Sequence, residues 1–434
     1  MNPDELKARH EAVLPGWMPL YYERPIELVR GEGYRVWDSE GNEYLDFFGG
    51  IVTTISGHAI PEISEAIKSQ ADKIVHSSTL YLIENQIRLA ERLTELAPIS
   101  GDKKVFFTVS GTEANEAALL FATRYRGSSE IVALRSSYHG RSFATMAITG
   151  QSTWSPTSHS PLDVKYLANP YKYRCPFCRD EPRCNLLCAD DLRELIEAET
   201  TGHVAAFIAE PIQGVGGFIE APPGYFERIK EILDERGILL ISDEVQTAFG
   251  RTGDNFWGIE AHGVEPDLIT MAKGLGNGLS IGAVMGRAEI IESISPNLHL
   301  STFGGNHLST AGALASLEYI LDNDLQKNAA EVGGYLKDRL LEMAEKSAAI
   351  GEVRGRGLML GLEIVGPDRE PDPQAAGRLL EACREKGLLV GKGGIKANAI
   401  RISPPLSVTR EAAGEAADIL EEALAEIGAR EKVG

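Results

Sequence analysis

The sequence predicts an α/β protein, a large domain on a mostly parallel central sheet flanked by helices, followed by a smaller α+β domain. Two observations carry this. From about residue 104 to 286, short apolar runs alternate with helix-like stretches, the pattern of a doubly wound sheet whose strands are buried on both faces. After about residue 309, long helical stretches, short strands and a final helix mark a second domain. The chain has 434 residues, too many for one small core, and 43% of them are apolar, which is ample for burial.

In chain order, the first ten residues mix charges and lack the apolar core of a secretion signal. No apolar run reaches the length of a membrane span, so a soluble, cytoplasmic protein is expected. Residues 35–46 read as a hairpin turning at Glu40, Gly41 and Asn42, outside the main sheet. Strands are expected over 104–109, 130–134, 204–209, 237–241 and 268–271, each an apolar run. Residues 114–125 are good helix formers. Over 225–236, Phe226, Ile229, Ile232 and Leu233 recur at helical spacing and give one buried face. Beyond residue 309, helices are expected over 311–321 and 325–346, and 366–374 reads as an exposed, proline-rich loop.

Lys and Arg number 43 against 63 Asp and Glu, a net charge of -20 that argues against a nucleic-acid partner, whose phosphates demand a basic face. Five cysteines are too few for a disulfide framework. Four of them cluster as Cys175, Cys178, Cys184 and Cys188; the first pair has zinc-knuckle spacing but the rest is tighter than most structural zinc sites, so a surface insert with reduced thiols and no metal is expected.

Two expected strands end on chemistry, the run 237–241 before Asp243 and the run 268–271 before Lys273. Ligands in open α/β sheets gather at the carboxyl ends of strands, so this amine and this carboxylate would project into one crevice. A lysine amine can form a Schiff base with the aldehyde of pyridoxal 5'-phosphate, and a carboxylate at the far end of the ring can hold the pyridine nitrogen protonated. The pair therefore points to that cofactor. Ser110, Gly111 and Thr112 open the helix after the strand 104–109, where free N–H groups can face a phosphate; Ser110 and Glu113 also have the spacing of a capping box, and the two readings are compatible. Tyr138, His139 and Arg141 follow the next strand: the tyrosine could stack on a flat ring and the arginine could take a carboxylate, while His139 reads as a structural hydrogen-bonding residue. Glu210 ends another apolar run, and if it meets Arg401 in the cleft it could neutralise that guanidinium until a substrate carboxylate arrives. Two glycine-rich stretches, 355–361 and 387–393, approximate nucleotide-binding loops but fail on spacing and context.

With these residues assembled, the chain resembles the class III, pyridoxal phosphate-dependent aminotransferases of fold type I over nearly its whole length. The strongest motif runs from Ser242, Asp243, Val245 and Gln246 through Arg251 and Asp267 to Ala272, Lys273 and Gly274. The resemblance implies that Lys273 is the Schiff-base lysine, Asp243 the partner of the ring nitrogen, and Val245 and Tyr138 the two walls of the ring slot. It also implies that Gln246 approaches the ring's phenolic oxygen, that Gly111 and Thr112 hold the phosphate, and that Thr302 reaches a phosphate across a homodimer interface, alone or within a tetramer. His307 stands where the family usually has proline. The implied organisation is a segment 1–60 that packs with the small domain, a cofactor-binding domain 61–310 and a small domain 311–434. Residues 44–53, 387–394 and the cysteine insert look most like the mitochondrial-type alanine:glyoxylate subgroup, whereas Arg141 looks like the arginine of 4-aminobutyrate and ornithine aminotransferases.

The expected reaction is ping-pong transfer of an amino group from alanine, or an ω- or β-amino acid, to glyoxylate or pyruvate. Arg401 would bind the oxo-acid carboxylate with Glu210 as its resting partner, and Ile51, Val52 and either Tyr21 or Tyr22 would line the substrate pocket. Alternatives are a 2-oxoglutarate-dependent 4-aminobutyrate or ornithine type, favoured by Arg141, and a lyase of the same family. A ligand-sensing role in transcription would require an added basic module, for which this acidic chain has no room.

Overall fold

The computed structural model describes residues 3–431 except 19, 180, 182, 297 and 298. Its central sheet has seven strands, in the spatial order Lys103–Thr108, Gly282–Arg287, Leu268–Met271, Leu239–Asp243, Ala206–Ala209, Glu130–Leu134, Asp163–Leu167. Only Gly282–Arg287 runs antiparallel to its neighbours. The other pairings are parallel. Leu239–Asp243 and Leu268–Met271 are buried at every position, as expected of strands covered on both faces. The sequence-expected strands all form, with ends displaced by one or two residues where loop residues complete or leave the ladder.

Helices cover the sheet through apolar stripes. Tyr225–Arg236 buries Tyr225, Phe226, Ile229, Ile232 and Leu233. Each such side chain contributes about 1.5–3 kcal/mol relative to exposure. Gly237 ends this helix in the left-handed conformation, φ 64°, which glycine adopts without a steric penalty. The next strand can then begin at Leu239.

The chain ends meet. The hairpin strands Arg35–Asp38 and Glu43–Asp46 lie in a separate four-stranded sheet, which Leu388–Leu389 joins in parallel beside Glu43–Asp46. A second four-stranded sheet orders Ile350–Arg356, Met359–Ile364, Ala399–Ile402 and Gly391–Gly393. The helix His307–Asp322 packs on Pro61–Ala71 and Glu84–Leu96, so it runs across the boundary expected at 310/311. Arg251, fully buried, donates to the carbonyls of Leu358 (3.1 Å) and Pro404 and so ties the segment after Asp243 to the C-terminal region. No helix among the described residues is long and apolar enough to cross a membrane.

Candidate active site

Register brings the chemistry to one edge. Asp243 lies opposite Thr270 on adjacent parallel strands, and Lys273 follows three residues later. Glu210 follows Ala206–Ala209 on the other side of the Asp243 strand, and Tyr138 and His139 follow Glu130–Leu134. Strand Lys103–Thr108 leads into the helix Gly111–Arg126 at the same edge. These carboxyl ends surround a cavity of about 320 Å³ that is lined by Lys273, Asp243, Glu210, Tyr138, His139, Val245 and Gln246, and by Ser110, Gly111 and Thr112.

Asp243 is held on both oxygens. Its Oδ2 accepts from Asn115 Nδ2 (2.8 Å) and bonds His139 Nδ1 (2.7 Å), and its Oδ1 accepts from the Val245 amide (3.1 Å). Asn115 also donates to the His139 carbonyl (2.8 Å) and accepts from Thr270 Oγ1 (2.7 Å), so one amide fixes three elements at once. The sequence reading missed Asn115. An asparagine in the interior of an otherwise alanine-rich helix was the available signal, because such a residue is a poor helix former and is kept there only by outside partners.

Lys273 is half-buried on the cavity wall, and desolvation there pulls its amine down to about 8; Asp243 and Glu210 oppose the shift and Arg401 adds to it. Its backbone is left-handed, φ 44°, a conformation that costs a non-glycine residue of order 1 kcal/mol and is held only by its surroundings. Ser110 caps its helix by accepting from the Glu113 amide (3.2 Å), and Glu113 accepts in return from the Val109 amide (3.2 Å). The Ser110 cap thus forms, but Glu113 turns to the Val109 amide and leaves the expected capping box incomplete, and the amides of Gly111 and Thr112 open the first turn beside the cavity. Gly111 has no room for a side chain, since a Cβ would lie 3.0 Å from Val245. Gly214 likewise makes way for Gln246, whose Oε1 is buried without a partner among the described residues.

Several expected site residues lie elsewhere. Glu210 does not pair with Arg401: its oxygens accept from the amides of Tyr138 (3.0 Å) and Gly214 (2.8 Å). Burial raises its carboxyl, with Asp243 adding to the effect and His139 and the two amides opposing it. Tyr22 turns away and packs against Arg384, whose guanidinium lies 5.6 Å from its ring. Its neighbour Tyr21 takes the place instead, stacked on Phe48 (5.2 Å, 7°) and interacting with Arg401. Ile51 is exposed and Val52 is buried against Ile212, Phe218 and Met359, because residues 49–52 all have positive φ and turn both side chains off the cavity; Thr53 lines it. Arg141 lies outside the cavity lining, over the Trp154 ring (5.1 Å), with its amide on Thr112 Oγ1 (3.3 Å). Thr302 is exposed and borders a second cavity with Val109, Glu113 and Phe303.

The cysteine insert closes on itself. Cys175, Cys178 and Cys188 are buried, Cys178 Sγ lies 3.6 Å from Cys184 Sγ, and Lys172 donates to the carbonyls of Cys178, Arg179 and Glu181. Burial and the adjacent thiols push Cys178 up to about 12.

Comparison with known proteins agrees over the whole fold. The family model for class-III aminotransferases matches residues 20–424. The chain is 44% identical over 422 residues to "alanine--glyoxylate aminotransferase 2 homolog 2, mitochondrial" of Arabidopsis thaliana, covering 96% of this chain and 86% of that protein. It is 39% identical to the leucine/methionine racemase of Thermococcus litoralis, covering 98% of this chain and 96% of that one. Among solved structures, a thermostable (S)-enantioselective omega-transaminase from Thermomicrobium roseum superposes with a TM-score of 0.90 at 35% identity, covering 98% of this chain and 99% of that one.

Proposed function

The chain belongs to the class III aminotransferases, pyridoxal phosphate-dependent enzymes of fold type I, and from that premise we propose that it moves the amino group of alanine, or of an ω- or β-amino acid, to glyoxylate or pyruvate. The observation that carries this reading is the convergence of Lys273, Asp243 and the first turn of the helix Gly111–Arg126 on one cavity. Pyridoxal phosphate fits the donor set. Lys273 would hold its aldehyde carbon, Asp243 its ring nitrogen, Val245 and Tyr138 its faces, and the amides of Gly111 and Thr112 its phosphate. The Gln246 side chain, whose buried Oε1 is an acceptor without a partner among the described residues, would accept from a phenolic O–H or, turned over, donate Nε2–H to an ionised phenolic oxygen, and a Cβ on Gly111 would press on Val245 at 3.0 Å.

When bound, the cofactor supplies a carbonyl that links to amines and a ring that draws electrons from the carbon bearing nitrogen. The protein supplies the rest. At an amine value of about 8, a useful fraction of Lys273 Nζ is neutral near pH 7.5, so it can take a proton from the substrate carbon and return it. Asp243 keeps its place because three donors fix its oxygens. Arg401, buried beside the site, binds the carboxylate common to amino and oxo acid. A homodimer is supported by a surface strip in which Leu80, Tyr81 and Leu82 lie near Leu300 and Phe303, joined by Thr79 Oγ1 to the Ser301 carbonyl (3.2 Å). Thr302 is exposed on that strip, and on this reading it completes the partner subunit's phosphate site. Sedimentation at assay concentration should find dimers, and a fully active monomer would remove Thr302 from that role.

The test of the activity uses half-reactions. Adding alanine alone should convert the cofactor to its aminated form and release pyruvate stoichiometrically, and glyoxylate should reverse the change. Amino acid inverted in stereochemistry without any release of oxo acid would instead assign a racemase, the activity for which the Thermococcus litoralis relative is named.

A further inference from the structure

Arg401 poses a problem that the site as described leaves unsolved. Its side chain is buried, its Nε and Nη1 have no hydrogen-bond partner among the described residues, and the carboxylate expected to neutralise it is committed to two backbone amides. Tyr21 interacts with the guanidinium and Glu210 adds a charge attraction without bonding it, but a guanidinium does not discharge by losing its proton, so the two nitrogens without partners leave a cost of burial that the surroundings must offset.

The sheet around Arg401 shows what does. Arg401 lies on the strand Ala399–Ile402, and its cross-strand neighbours on both sides are glycines, Gly361 and Gly391. Gly391 makes room for the Phe48 ring, and Gly361 makes room for the backbone carbonyl of Gly217, the residue before Phe218. A Cβ on Gly391 would lie 2.6 Å from Phe48 Cε2, and one on Gly361 would lie 2.7 Å from the Gly217 carbonyl and 3.4 Å from Phe218 Cβ. The two rings flank the guanidinium, with its carbon 5.5 Å from the centre of Phe48 and 5.6 Å from that of Phe218. Gly393 clears the remaining side, since a Cβ there would stand 3.0 Å from Arg401 Nε. Gly361, Gly391 and Gly393, glycines of the two nucleotide-like stretches, thereby acquire a physical reason.

Phe218 is held in place at some expense. It is fully buried with φ 59°, a left-handed backbone that a bulky residue rarely adopts. Arg354 Nε donates to the carbonyl of Gly217 (2.7 Å), and Arg354 is itself fixed by Glu363 (2.9 Å) and by Tyr171 (2.8 Å). On the opposite side Tyr21 stacks on Phe48, and the Lys392 amide donates to the Tyr21 hydroxyl. Both rings are therefore braced from outside the site.

We propose that Phe48 and Phe218 are positioning residues that hold Arg401 charged and open to the substrate carboxylate, in place of an acidic resting partner. The negative faces of the rings stabilise the cation and fix its plane, so a carboxylate enters without first breaking an ion pair. The ligand class is an α-carboxylate, and the proposal rests on the assignment of Arg401 as the carboxylate site.

The test compares Phe218→Leu and Phe48→Leu with Arg401→Leu in the holoenzyme, measuring KM and kcat for the accepting oxo acid and the dissociation constant of pyridoxal phosphate. Each leucine variant keeps an apolar side chain but loses the π face, and should raise the oxo-acid KM about tenfold, the size of a desolvated cation–π contact. The kcat should change less than about twofold and cofactor affinity should stay the same, as expected when uniform binding is lost. Phe48→Tyr, which keeps the ring, should restore KM. Phe48 is only partly buried, so its variants stay informative if Phe218→Leu does not fold. An unchanged KM in Phe48→Leu, with a raised one in Arg401→Leu, overturns the proposal; an unchanged KM in Arg401→Leu overturns the carboxylate assignment beneath it. A fall in kcat and cofactor affinity alongside KM would assign the rings a structural role only, and would equally overturn it.

Discussion

Lys273→Ala is expected to lower kcat by at least about 10⁴-fold, the upper end of what a positioned acid–base group contributes, because the same amine also serves as the covalent anchor. Among the described residues, no second lysine lines the cavity to replace it. Loss of folding would be a trivial cause, and the electrostatics argue against it. An unfolded lysine titrates near its ordinary value of 10.5, whereas burial brings the folded amine to about 8. The unfolded state therefore binds the proton more tightly, and the cost of burying it is fully present below pH 8 and disappears as pH rises towards 10.5. Removing the amine relieves that cost at neutral pH, so the cofactor-free variant should melt no lower than the parent. Capture of cofactor by the parent should quicken as pH rises through about 8, where the neutral amine accumulates. A variant that still cycles at the parent rate would place the chemistry on another residue.

Asp243→Asn is the second large effect expected, a fall in kcat of about 10²- to 10⁴-fold with the fold intact. The substitution keeps shape and removes charge. Asn115 Nδ2 and the Val245 amide then face a group that must turn either its oxygen or its NH₂ towards them, and one of these contacts becomes donor against donor. The ring nitrogen loses the carboxylate that would hold its proton. Kinetics of the loaded enzyme and the melting curve of the cofactor-free protein check this together: activity should collapse while the cofactor-free protein unfolds no more than a few degrees below the parent. A variant retaining a tenth or more of the parent kcat would show that the carboxylate is not the electronic partner of the ring.

What the sequence made legible was the sheet edge. Asp243 and Lys273 could be placed together because each ends an apolar run, and parallel strands buried on both faces leave such runs unmistakable. The helix Tyr225–Arg236 was equally readable from its apolar spacing. The environment of Arg401 was not. Glu210 and Arg401 were both identifiable as cleft residues, but the sequence does not reveal that the carboxylate is spent on the amides of Tyr138 and Gly214. Phe48 and Phe218 come from loops whose positive backbone angles no periodicity announces. The choice of Tyr21 over Tyr22, and the exchange of Ile51 and Val52 for Thr53, have the same origin. In an irregular segment, a shift of one residue reverses which side chain faces the site, and neither helical nor strand spacing fixes it.

The central claim is that Lys273 is the residue that holds the cofactor covalently and moves the proton. Its most direct test is borohydride reduction of the protein loaded with pyridoxal phosphate, followed by proteolysis and mass-spectrometric mapping of the pyridoxyl group. The account predicts one modified site, Lys273, with the label lost when an amino donor is added before reduction. A label on any other lysine, or one at Lys273 that an amino donor does not displace, would contradict it.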